Sequence, residues 1–148
     1  MKAIIDEIRE KMMRFPLAHI EYDETSITYL PSASDGFAVR LVVYPGTPQE
    51  RYSVYFNGSH EEFVHPRDAI LTFGYGLSTD CRLREYVRLG RAYRWIVDVW
   101  DEKTQQWKPD WEICWFTMPF WQFWRRPTVR YLQNRLIDRH GGDVAHAA

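Results

Sequence analysis

Apolar and polar residues alternate with a period of two along most of this chain, and recur at helical spacing in three shorter stretches. The first helical stretch opens the sequence. Its apolar residues fall within one arc at about 100° per residue, and its charged residues fall opposite. This pattern predicts an amphipathic helix that ends at Pro16. The apolar arc consists of Met1, Ile4, Ile5, Ile8, Met12 and Phe15.

Strand patterns follow this helix. Residues 19–30 predict a hairpin, and residues 37–46 predict a strand that ends at a Pro-Gly turn. A further strand is predicted over residues 51–58, which end at an Asn-Gly turn. The apolar face of the strand at 37–46 consists of Phe37, Val39, Leu41 and Val43.

A second helix is predicted from Pro66, because proline suits the first turn of a helix. The residues before it, HEEFVH at 60–65, are interpreted as a solvated loop. The helix should be short, since two glycines lie near its end. Its apolar face consists of Ala69, Ile70, Phe73 and Leu77.

The second half of the chain repeats this scheme. Residues 81–90 and 92–101 predict two strands that are joined tightly at Gly90-Arg91, and residues 111–116 predict a third strand. Pro127 then opens a predicted last helix. Its apolar face consists of Val129, Leu132 and Leu136.

The predicted order is therefore α-β(3-4)-α-β3-α. Short turns between strands favour an antiparallel sheet, and three amphipathic helices are enough to cover one of its faces. We expect an α+β single domain over residues 1–140, with an antiparallel sheet of about five to seven strands and three helices packed mainly on one face. Residues 141–148 are expected to form a flexible C-terminal tail.

Charge divides the chain in two although its net charge is only −1. Residues 1–80 carry seven basic and twelve acidic groups, whereas residues 81–140 carry twelve basic and seven acidic groups. This asymmetry predicts a basic surface on the second half, which could meet an acidic partner or the acidic half of a second copy. The alternative is that the two halves neutralise each other within one fold.

Composition argues against several classes of protein. The 45% hydrophobic and 26% charged residues are typical of a globular domain rather than a disordered chain. The longest nearly apolar run is far shorter than the ~20 residues of a membrane helix, and the charged start does not resemble a signal peptide. We expect a cytoplasmic protein. Nucleic acid and membrane are not expected partners, because the whole chain lacks a basic excess and a broad apolar helix face.

Candidate chemistry is sparse. His60 and His65 are five residues apart, which does not match the i, i+4 spacing of a zinc-binding helix, so no metal is expected. Cys81 and Cys114 lie in predicted strands with apolar neighbours, the usual setting of buried, unpaired thiols. No nucleophile elbow or phosphate-binding loop is present, so we expect neither a catalytic residue nor a cofactor. An enzyme or small-ligand binder with an aromatic-lined pocket between sheet and helices remains the alternative.

Two groups of residues are candidates for binding a partner. The first is the polar face of the strand at 81–90, where arginines could bind carboxylate or phosphate bidentately. The second lies in the segment FTMPFWQFWRRPTVR, because Trp and Arg are favoured at protein interfaces and a connector cannot expose so many aromatics alone. The candidates are Arg82, Arg84 and Arg88 in the first group and Trp121, Trp124, Arg125 and Arg126 in the second.

Three stretches, GLSTDCRLRE, AYRW and PFWQFWRRPTVRYLQNRL, resemble an uncharacterised family of small bacterial proteins to which no activity is assigned. The element order also resembles that of type III secretion chaperones, small dimeric proteins that hold partly unfolded effectors. That second resemblance implies a homodimer that binds other proteins. The sequence therefore predicts a non-enzymatic protein-binding module, chaperone-like or immunity-like, whose partner is another protein or a second copy of itself.

Overall fold

The computed structural model describes residues 2–46, 49–114, 124 and 126–139. Its described part contains two helices and nine strands, which confirms the α+β class. Neither helix is long and apolar enough to cross a bilayer. In chain order the elements are α1 Lys2–Met12, β1 His19–Tyr22, β2 Ser26–Leu30, β3 Val39–Tyr44, β4 Arg51–Phe56, β5 Ser59–Phe63, α2 Pro66–Gly76, β6 Cys81–Arg88, β7 Arg91–Asp101, β8 Gln106–Cys114 and β9 Thr128–Gln133.

The strands form two antiparallel sheets, not the single predicted sheet of five to seven strands. The first sheet has the order β1-β2-β3-β4-β5, and the second has the order β8-β7-β6-β9. The sequence pattern could not separate them, because alternation reports which residues of a strand are buried but not which strands pair. The helix α2 lies between the two sheets in the chain and contacts strands of both.

The first sheet follows the predicted pattern closely. The four residues assigned to the apolar face of the strand at 37–46 are all buried, and the hairpin of β1 and β2 turns at 23–25. Residues 60–65, however, are not simply a loop, since β5 pairs with β4 through a two-residue Asn57-Gly58 turn. As the last strand of its sheet, β5 carries charged side chains that can remain in water.

The predicted helix after Pro127 is wrong. Residues 128–133 form β9, which pairs antiparallel with β6 and places Leu132 opposite Leu83. The apolar spacing of Val129, Leu132 and Leu136 fits a helix face, but only the last two of these pack against the core. The stretch TVRYLQ is rich in β-branched and aromatic residues, and pairing with β6 outweighs the helical spacing. The described part therefore has two helices where three were predicted.

One cluster of buried apolar side chains joins the helices and both sheets. Gly76 at the end of α2 lies against Phe56, because a methyl group at this glycine would come within 2.5 Å of the Phe56 ring. Phe56 in turn stacks on Trp111 of β8, with ring centroids 5.6 Å apart. The two sheets therefore meet where the β4–β5 turn approaches the second sheet.

A buried asparagine fastens the segment that follows β9. The side-chain oxygen of Asn134 accepts a hydrogen bond from the Phe37 backbone N–H at 3.1 Å. Its side-chain nitrogen donates to the carbonyl oxygens of Phe37 and Gly76, both at 2.9 Å. One side chain thus ties the loop before β3, the end of α2 and the end of β9 together.

Candidate functional site

The second sheet has an inner face, which joins the core, and an outer face, on which the predicted arginines lie. Side chains of β6 alternate between the two, with Leu83 buried in the core and Arg82 and Arg84 partly exposed. We call the outer face the arginine–aromatic face. It consists of Arg82, Arg84, Tyr86, Arg88, Arg94, Asp98, Trp107, Glu112 and Tyr131.

The hairpin of β6 and β7 places a carboxylate opposite these arginines. It turns at Leu89-Gly90, one residue earlier than predicted, and both residues have positive φ angles, 50° and 77°. A register shift between Tyr86 and Val87 then sets Arg82 directly opposite Asp98. Such left-handed backbone favours glycine and costs little there.

Asp98 is the electrostatic centre of the arginine–aromatic face. Its side chain is only 1% exposed. Arg82 donates through Nε to Oδ2 of Asp98 at 3.0 Å, and Arg84 donates through Nη2 to Oδ1 of Asp98 at 2.6 Å. Two guanidinium groups around one buried carboxylate leave an excess positive charge in a fixed place.

Arg82 is held from two sides by aromatic rings. Its guanidinium carbon lies 4.5 Å from the ring centroid of Trp107 in β8 and 4.6 Å from that of Tyr131 in β9. Cation–π contacts of this kind hold the flat guanidinium group against the rings. In the described part of the chain the hydrogen bond from Arg82 to Asp98 is made through Nε, and its two Nη atoms have no described side-chain acceptor.

Arg94 and Arg88 also lie beside aromatic rings. Arg94 forms a two-pronged ion pair with Glu112, at 2.7 and 3.1 Å, and lies 4.8 Å from the ring centroid of Tyr86. Arg88 lies over Tyr93 at 5.2 Å. The side chains of this face also cover Ile96, which is buried although it lies outside the core cluster.

The acidic partners of Arg84 and Arg94 raise the pKa values of these two arginines. Burial acts to lower the pKa of Arg84, but the hydrogen bond and the charge of Asp98 outweigh it. The hydrogen bond to Glu112 raises the pKa of Arg94. Both side chains are therefore cationic at neutral pH.

The sequence located part of this site. Arg82, Arg84 and Arg88 lie on one face as predicted. Trp124 is 64% exposed and Arg126 is exposed. The other two candidates, Trp121 and Arg125, lie outside the described residues.

Six of the nine residues of this face were not among the sequence candidates, namely Tyr86, Arg94, Asp98, Trp107, Glu112 and Tyr131. Asp98, Trp107 and Tyr131 come from β7, β8 and β9, and none was selected as a candidate. Counting back from the turn after β6 would place Val97 opposite Arg82, so the sequence held no signal for Asp98, which the register shift between Tyr86 and Val87 brings there. Tyr131 was hidden by the incorrect helix, which also concealed the strand alternation of TVRYLQ.

A metal site and a surface depression were also considered as functional sites. No group of three or more His, Cys, Asp and Glu side chains within the described ranges is placed to hold a metal ion. A depression of about 600 Å³ lies along the β7–β8 hairpin. It is lined by Val99, Trp100, Asp101, Glu102, Lys103, Lys108, Pro109 and Asp110.

The two cysteines occupy opposite faces of the second sheet. Cys81 is fully buried on the inner face, whereas Cys114 is paired with Arg94 on the outer face and is only partly buried. Both are free thiols in the structure. Burial raises the pKa of the Cys81 thiol, so it stays neutral and unreactive.

Comparison of the chain with protein-family models, with curated proteins and with solved structures found no match. Functional inference for this protein therefore depends on the chemistry of its own surface.

Proposed function

We propose that this chain is a non-enzymatic protein-binding module whose arginine–aromatic face binds an acidic segment of another protein. The observation that carries the proposal is the arrangement of Arg82, which is stacked between two rings and bound to Asp98 through Nε. Guanidinium groups bind carboxylates in a two-pronged geometry, and a side chain that is already ordered loses little entropy on binding.

Charge and composition favour an acidic protein partner. The face contains four arginines and only two carboxylates, those of Asp98 and Glu112, so it keeps a positive excess. Arginine, tryptophan and tyrosine are also the residues most enriched among the energetic centres of protein interfaces. Nucleic acid is less favoured, because the chain as a whole carries a net charge of −1.

A chaperone-like or immunity-like role fits such a face, and a second copy of the chain is a further possible occupant through its acidic first half. No activity is assigned in this proposal, and a catalytic or small-ligand function is the alternative. Binding of a defined acidic peptide tests whether the face recognises an acidic protein segment.

The probe is a fluorescein-labelled heptapeptide, Glu-Thr-Glu-Val-Glu-Thr-Glu, and its control replaces every Glu by Gln. We expect the first peptide to bind and the second to bind far more weakly, with binding reduced as salt shortens the range of the charges. Arg82→Gln should weaken binding about tenfold, the value of one charge-assisted hydrogen bond. Asp98 keeps Arg84 as a partner in this variant, so the fold should persist.

The matched control is Arg67→Gln at an exposed arginine of α2 that is not part of the arginine–aromatic face, and this variant should bind like the wild type. Equal binding of the two peptides, or no binding of either, would contradict the proposal. Tighter binding to a short DNA duplex than to the peptide would assign the face to nucleic acid. Self-association that is lost in Arg82→Gln, measured by sedimentation velocity, would identify a second copy as the occupant.

A further inference from the structure

The structure describes four strands at sheet edges, and three of them are protected against pairing with another strand. Natural proteins blunt such edges with short strands, charges, prolines or bulges. Strand β1 has only four residues, and β5 carries Glu61 and Glu62. Strand β8 contains Pro109 and a register shift opposite Val97 and Asp98.

Strand β9 is protected less than these three, since its one such device is the charge of Arg130. It is six residues long, contains no proline and pairs with β6 in a continuous register. Among the described strands its only neighbour is β6. On its other edge the Gln133 N–H donates to the Asp35 carbonyl at 2.7 Å, and by strand alternation Val129 and Tyr131 face that edge with no described strand beside them. Its first four residues are exposed, including Val129 and Tyr131, at 36% and 54%.

We infer that the acidic segment binds in an extended conformation, as a fifth strand added to the open edge of β9. The inference rests on the proposed function and adds to it the conformation of the partner. An added strand would lie about 4.8 Å from β9, with its side chains alternating between the two faces. On the outer face they would approach Tyr131 and the Arg82 that stacks on it, and on the inner face they would approach Arg130.

Charge complementarity selects this occupant over a second copy of β9. Residues 128–133 include one arginine and no acidic residue, and they are flanked by Arg126 and by Arg135, which is paired with Asp35 at 2.9 Å. Edge-to-edge pairing of two copies would bring these like charges together. The Arg130 side chain is 59% exposed and only 3.9 Å from Glu85, so it can reach an acidic neighbour.

N-methylated peptides test the strand geometry separately from charge. In an extended strand, alternate N–H groups point to opposite edges, so methylating one set blocks one edge and leaves the charges unchanged. The heptapeptide is prepared in two forms, methylated either at its Glu nitrogens after the first residue or at its Thr and Val nitrogens. We expect one form to lose at least about tenfold in affinity and the other to stay within about threefold of the parent.

The outcomes distinguish the two proposals. If the parent peptide binds and both methylated forms bind equally well, the segment does not add as a strand, although the face still binds acidic partners. If the parent peptide does not bind, the proposed function is wrong and this inference with it.

Amide hydrogen exchange supplies a second measurement on the intact chain. Binding of the parent peptide should slow exchange at the Val129 and Tyr131 amides and leave the amides of β1 unchanged, since β1 is the control edge. If exchange slows at neither edge and only the signals of the arginine side chains change, the inference is wrong.

Discussion

The guanidinium of Arg82 and the ring of Tyr131 are diagonal neighbours on adjacent strands, 4.6 Å apart. Because Arg82 also reaches Trp107 and Asp98, this one side chain connects all four strands of the second sheet. Its contacts fix its conformation before any partner arrives. The arginine–aromatic face is therefore both a structural part of the sheet and a pre-formed surface.

Arg82 and Arg84 should stabilise the fold in a strongly non-additive way. Either arginine alone can neutralise the buried carboxylate of Asp98, so Arg82→Gln or Arg84→Gln should each cost about 1 kcal/mol. The double variant leaves that carboxylate buried without a cationic partner and should cost about 3–5 kcal/mol. Urea unfolding of the two single variants and the double variant measures this coupling. Simple additivity would mean that Asp98 does not depend on the arginines.

Gly58 should not tolerate a side chain, because Trp95 occupies the space beside it. An added Cβ would come within 2.4 Å of the Trp95 ring, and that ring is buried and donates a hydrogen bond to Glu85 at 2.9 Å. Gly58→Ala should therefore cost about 1–3 kcal/mol of stability.

Gly74→Ala is the matched control for this substitution. Nothing lies within 4 Å of the added methyl group, and the residue is helical. It should stabilise the protein by about 0.5–1 kcal/mol. Thermal unfolding of both variants gives the comparison, and equal effects would contradict the packing of Trp95 on Gly58.

Asn134→Ala should be among the most destabilising polar substitutions in the chain. It leaves one backbone N–H and two carbonyl groups buried without their partner, at a cost of about 3 kcal/mol. The neighbouring Arg135→Ala removes only an exposed ion pair with Asp35 and should cost less than about 1 kcal/mol. Chemical denaturation measures both. Similar losses would show that Asn134 is not the fastening point of this segment.

Cys114 and Cys81 should differ sharply in reactivity. Cys114 is partly exposed, whereas the Cys81 thiol is inaccessible and is kept neutral by its raised pKa. A thiol reagent at neutral pH should label one cysteine quickly in the folded protein, and Cys114→Ser should abolish that fast phase. The second thiol should react only at the rate of unfolding. Fast labelling of Cys81 in Cys114→Ser would contradict its burial.

Local patterns determined most of the elements. The alternation of the strand at 37–46 and the proline at the start of α2 are properties of neighbouring residues, and the structure confirms both. The arginines of β6 could also be assigned to one face, because side chains alternate along any strand. For each of these features the sequence was sufficient, since no distant part of the chain has to be known.

Tertiary structure decided which strands pair and which side chains meet across them. Residues 128–133 became a strand because β6 offered a partner about 45 residues away, and a helical spacing of three apolar residues could not compete with that pairing. The same pairing brought Tyr131 to Arg82, and the β6–β7 and β7–β8 registers brought Asp98 and Trp107. The individual arginines could thus be read from the sequence, but their arrangement around one buried carboxylate and two rings depends on contacts between strands.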